Sequence, residues 1–126
     1  MAERSGEYEL EIPACFMNHS CDPNTFDEVK PDPHHHGSRD FLSQCIAARV
    51  IEEGEEITTD YDLFDWEFEG EGSFDCHCSS ALCRGRVGGF SNLTADQKES
   101  MKGRASPAVR RLLQSEARRR CHCAVS

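Results

Sequence analysis

Long apolar runs are missing from this sequence. No stretch approaches the roughly 20 consecutive apolar residues that a membrane-spanning helix needs, so a helical membrane protein is excluded and no membrane partner is expected. The opening segment MAERSGEYELEIP lacks the apolar heart of a secretory signal. The expected setting is therefore intracellular and reducing, nuclear or cytoplasmic. Large aromatics are scarce: one Trp and two Tyr among 126 residues fit a single domain with one modest core. No internal repeat is present; the only echo is Cys-His-Cys at 76–78 and again at 121–123. Positive charge is thin over residues 1–90, where 6 Lys/Arg face 20 Asp/Glu, and the balance reverses over 91–126 with 8 against 3. An acidic body disfavours direct nucleic-acid binding through phosphates and attracts basic protein segments. The bland reading is that acidity only keeps the chain in solution.

What is present divides into short elements. EYELEI (7–12) alternates apolar and acidic residues and reads as a half-buried strand ended by Pro13. Asn18–Asn24 contains Asp22-Pro23 and reads as a loop. DEVKPDPHHHGSRD (27–40) is hydrophilic and reads as an exposed connection. FLSQCIAARVI (41–51), a turn at Glu53-Gly54 and EITTDY (56–61) read as a pair of strands. Residues 62–75 mix aromatics and acids around Gly70 and Gly72 and read as irregular. Thereafter the character is helical: Thr94 with Gln97 fits a capping box, and Ser106-Pro107 fits an N-cap followed by proline in the first turn. Val109, Leu112, Leu113 and Ala117 share one helical face among arginines.

Eight cysteines in a reducing setting point to metal or catalysis before disulfides. Cys76, Cys78 and Cys83 are too tightly spaced for comfortable bridging. Three thiolates on one loop suit tetrahedral zinc and leave one corner open. Cys21, on a polar loop far away in sequence, is the best candidate for that corner. His77 is awkwardly placed inside the trio, and Cys15 and Cys45 read as plain core cysteines. Three unrelated surface thiols are the bland alternative. His34–His36 offers a metal patch or, more simply, a solvated loop. Cys121, His122 and Cys123 offer a second metal site or an exposed tail.

NHSCDPN (18–24), then GEEITTDYD (54–62), then CHCSSALCRG (76–85) resemble, in order and spacing, the C-terminal half of a SET domain with its post-SET zinc segment. The resemblance implies a mainly β fold with C-terminal helices, a partial SET-domain β-fold with knot-like threading and a small zinc-stapled loop. It divides the chain into an N-terminal flank (1–7), the C-terminal half of the SET domain (8–75), the post-SET segment (76–90) and a helical basic tail (91–126). It also implies an S-adenosylmethionine-dependent protein-lysine methyltransferase. Phe16, Asn18 and His19 would then contact the cofactor, Tyr61 would be the catalytic tyrosine, and Cys21, Cys76, Cys78 and Cys83 would hold zinc.

Methyl transfer from a sulfonium to a neutral lysine amine is an in-line displacement. The protein must align the reactants, offer oxygen acceptors and exclude water. A tyrosine serves this with its hydroxyl while its ring lines a channel for the lysine stem; a strand-end aromatic in the core is the bland reading of Tyr61. Asp60 and Asp62 could attract the lysine, and for Asp60 a structural hydrogen bond to a neighbouring loop is the bland reading. Trp66, Phe68 and Phe74 either shape the channel or simply pack. Two features depart from the family pattern: Ser79 stands where a glycine usually follows the second zinc cysteine, and Thr59 stands where many relatives carry Phe or Tyr, a position that influences how many methyl groups fit. Only 17 residues precede Asn18, so the expectation is one side of the cofactor pocket, with an N-terminal half supplied elsewhere. The alternative from another class is a non-catalytic, zinc-stabilised module that binds basic protein segments.

Overall fold

A computed structural model describes residues 16–31 and 41–123. Among these, six short strands form three two-stranded sheets, followed by two helices. The expected strand at 7–12, Cys15 and His34–His36 lie outside the described residues. No described helix is long and apolar enough to cross a membrane.

Strand β1 (Asn18–His19) pairs in parallel with β4 (Thr58–Thr59). Strand β2 (Thr25–Pro31) pairs antiparallel with β3 (Phe41–Ala47), in a register from Thr25 opposite Ala47 to Pro31 opposite Phe41. Strand β5 (Phe74–Asp75) pairs antiparallel with β6 (Arg86–Val87). This corrects three expectations. Residues 27–31 are strand rather than connection, and Pro31 is tolerated because it ends the ladder, where a missing N–H interrupts nothing. The partner of residues 41–47 is β2, not 56–61. Asn18 and His19 are strand residues rather than loop.

Asn24 explains the second correction. Its fully buried amide accepts from the Thr58 N–H at 2.9 Å and donates to the Glu56 carbonyl at 2.7 Å, while its own carbonyl accepts from the Ala48 N–H at 2.8 Å. Residues 56–58 thus find their hydrogen bonds on an asparagine side chain and on β1, leaving no ladder for β3.

The capping box at Thr94 and Gln97 forms and starts α1 (Ala95–Met101). Pro107 opens α2 (Pro107–Cys123), with the Ser106 hydroxyl accepting from the Val109 N–H at 3.3 Å. Only part of the apolar face of α2 is used. Val109 is buried and Leu113 packs against the core, but Leu112 and Ala117 are exposed.

Two apolar clusters result. One gathers Leu63, Phe90, Leu93, Ala105 and Val109, flanked by Trp66, Met101 and Leu113. The other gathers Cys21, Cys76 and Val87, flanked by Tyr61, Phe68, Cys78 and Cys83. Cys45, expected in the core, is exposed on β3.

Candidate metal centre and active site

The thiols of Cys21, Cys76, Cys78 and Cys83 all lie within 4.8 Å of one another. The chain reaches this convergence through the β5–β6 pair: the Cys76 N–H donates to the Gly85 carbonyl at 2.9 Å, folding the 76–85 loop back on itself. Gly85 adopts φ +77°, a left-handed conformation that glycine takes without strain. The Cys21 and Cys76 sulfurs are 3.7 Å apart. A tetrahedron with metal–sulfur bonds of about 2.3 Å has edges of about 3.8 Å, so this pair already has the spacing a closed four-thiolate zinc site requires.

Nitrogen groups face the first of these sulfurs. Cys21 Sγ faces the Arg84 N–H at 3.4 Å and the His19 Nε2 at 3.4 Å. Burial pushes the Cys21 thiol up to about 12, while a bond from the Cys21 backbone N–H pulls the Cys78 thiol down to about 6. Four thiols this close together ionise together only around a cation, and the donor set favours zinc.

Tyr61 sits next to this centre. Its N–H donates to His19 Nδ1 at 3.0 Å and its hydroxyl donates to the Met17 carbonyl at 2.6 Å. The His19, Tyr61 and Phe74 rings meet edge to face, with centroids 5.3 to 6.1 Å apart. Burial lowers the His19 pKa, opposed by the nearby Asp60 carboxylate. Asn18 is exposed and its amide donates to Glu56 Oε1 at 2.8 Å. Phe16 is exposed.

The acids beside Tyr61 do not face an incoming lysine. Arg84 Nη2 donates to Asp60 Oδ1 at 2.6 Å and to Asp62 Oδ2 at 2.8 Å, and all three side chains are buried. The other oxygen of Asp62 accepts from the Gly88 and Gly89 N–H groups at 3.1 and 2.7 Å. Gly89 has φ +108°, and an added Cβ would lie 2.6 Å from the Trp66 carbonyl oxygen, so only glycine fits. Trp66 packs on Phe90 with Lys98 above its ring, and Phe68 packs beside the cysteine cluster. Of the three aromatics singled out, Phe74 meets both the Tyr61 and the His19 rings.

Sequence reasoning missed Arg84 and Asn24 as organisers of the site. Asn24 closes the first motif and carried a signal in its place there. Arg84 directly follows Cys83 in the clustered cysteine loop, with nothing in its neighbourhood to announce that it is buried.

An open, acidic cleft of about 690 Å³ adjoins Tyr61, lined by Asp65, Glu67, Phe68, Glu69, Gly72 and Phe74.

The SET-domain family model matches residues 2–62. Among curated proteins, the chain is 43% identical over 78 residues to histone-lysine N-methyltransferase ash1 of Drosophila melanogaster, covering 60% of this chain and 3% of that protein. It is 41% identical over 73 residues to the H3 lysine-4 specific enzyme of Emericella nidulans (57% and 5%) and 39% over 74 residues to the H3 lysine-36 specific enzyme of Candida albicans (59% and 8%). These matches support the reading of the chain as a fragment similar to SET-domain lysine methyltransferases. It spans less than a tenth of the length of these relatives. No solved structure matches it.

Proposed function

We propose that this chain forms the tyrosine side of a protein-lysine methyltransferase site, stapled by one zinc ion held by Cys21, Cys76, Cys78 and Cys83. The observation that carries the reading is the meeting of the cysteine cluster, the Asn18–His19 strand and the Tyr61 ring in one place. When bound, S-adenosylmethionine supplies the methyl group on its sulfonium. Phe16 and the Asn18 amide, both exposed, offer an aromatic face and hydrogen-bonding groups to it, and His19 contributes its backbone. Tyr61 is the catalytic residue. Its proton is committed to the Met17 carbonyl, so the phenolic oxygen keeps its lone pairs for the amine and the polarised methyl. Carboxylates of the neighbouring cleft draw in a basic protein segment, and the Phe74 and Tyr61 rings flank the lysine stem. Histone tails suit that chemistry, and the names of the relatives agree with a nuclear substrate. Exposed Phe16 and Ile57 flank the β1–β4 pair, which supports a further part of the domain covering this face to complete the cofactor pocket.

Calorimetric titration of the zinc-loaded chain with S-adenosylmethionine, followed by transfer of labelled methyl to a lysine-rich histone peptide, tests the reading. Binding with transfer that is lost in Tyr61→Phe is the expected result. One bound zinc with no cofactor binding, alone or after addition of the N-terminal half of a SET domain, refutes it and favours the non-catalytic module.

A further inference from the structure

We propose that the His19 imidazole is a positioning residue that joins the metal centre to Tyr61. The inference rests on the reading of the four cysteines as a metal site. Nδ1 accepts from the Tyr61 N–H at 3.0 Å, so the neutral ring carries its proton on Nε2. That N–H faces the Cys21 sulfur at 3.4 Å, within reach of an N–H···S bond. The side chain is 3% exposed, and both nitrogens are spent inside the protein. The imidazole is therefore committed to partners within the protein, and its bonds run from the Cys21 sulfur to the Tyr61 backbone.

A second link runs parallel. The Arg84 N–H also faces Cys21 Sγ, and the Arg84 guanidinium holds Asp60 and Asp62, the residues on either side of Tyr61. Cys21 is thereby tied to the backbone at Tyr61 through one ring and to both flanking side chains through one arginine. An N–H···S bond also draws charge from the thiolate and orients it, the way outer groups tune a metal's ligands. Filling that space with an apolar side chain would supply neither bond.

The test separates the two ends of the ring. His19→Asn keeps an acceptor near the Nδ1 position and does not reach the sulfur; His19→Gln places a donor near the Nε2 position and leaves the Tyr61 N–H without its acceptor. Cobalt(II) titration of the full chain is expected to show about 10-fold weaker binding by H19N, with the sulfur-to-cobalt charge-transfer band moved to longer wavelength. H19Q is expected to keep cobalt affinity within about 3-fold while the Tyr61 amide proton moves upfield in the NMR spectrum. H19N matching the unsubstituted chain, or H19Q losing cobalt as H19N does, overturns the proposal. Should a variant fail to fold, the unsubstituted chain decides. Exchange of zinc for cadmium is expected to displace the Tyr61 amide and His19 Hε2 resonances, and an unmoved pair overturns the linkage. These measurements contain no S-adenosylmethionine, so a failed methyltransferase reading leaves their outcome standing.

Discussion

Replacing Arg84 by methionine isolates the buried charges that frame Tyr61. The guanidinium is 8% exposed and the two carboxylates are 2% exposed each, with a single nitrogen, Nη2, serving both. Methionine roughly keeps the volume but leaves Asp60 and Asp62 facing each other without a cation. Orphaning one buried charge costs about 3–5 kcal/mol, and two carboxylates sharing one lost partner belong at the upper end. Part of this is offset, because Arg84 Nε is buried with no acceptor among the described residues, and its removal relieves about 1 kcal/mol. The net expectation is a loss of about 3–4 kcal/mol. Urea unfolding of the zinc-loaded chain at fixed zinc reads this directly: with a slope of about 2 kcal/mol/M, the midpoint falls by about 1.5–2 M. The control is R84M combined with D60N and D62N. It removes the repulsion, and the amide oxygen that D62N introduces still accepts from the Gly88 and Gly89 N–H groups. Recovery to within about 1–2 kcal/mol of the unsubstituted chain is expected. A loss below about 1 kcal/mol in R84M, or a triple variant no better than the single one, would show that charge burial does not hold this turn.

Two further substitutions test local geometry. Asn24→Ala leaves the Thr58 N–H and the Glu56 carbonyl without partners; a loss of about 2–4 kcal/mol is expected in the same unfolding assay, and one under about 1 kcal/mol would show that water replaces the amide. Ser79 has φ +60°, a left-handed conformation unusual for a residue with a Cβ; Ser79→Gly should stabilise the zinc-loaded chain by up to about 1 kcal/mol, measured by thermal unfolding, and a loss would mean that the serine side chain contributes more than its backbone strain costs.

Legibility in the sequence followed the range of the interaction. The capping box, the Ser106-Pro107 start of α2 and the close spacing of Cys76, Cys78 and Cys83 are local patterns, and they could be read directly. Cys21 could be assigned to the same cluster because a three-thiolate loop demands a fourth ligand. The β2–β3 pairing was misread because the strand from Thr25 to Pro31 carries charges and ends in proline, and because Asn24 occupies the bonds that 56–58 would need to form a hairpin. Arg84 was invisible for a different reason. Its partners lie 22 and 24 residues away, and an arginine in a sequence looks solvated until the fold removes its water. Helix α2 shows the converse, since Leu112 and Ala117 fit the apolar pattern and yet stay exposed.

The turn at residues 60–63 has a bearing on how this segment can evolve. Asp60 and Asp62 are bonded to Arg84, Tyr61 packs beside the cysteines, and Leu63 enters the other cluster. Consecutive positions thus answer to different surroundings. Gaining or losing one codon here would send a carboxylate into hydrocarbon and swing the phenol out to water. Drift in this stretch should therefore proceed by replacement at constant length, with indels displaced to the acidic loop that follows.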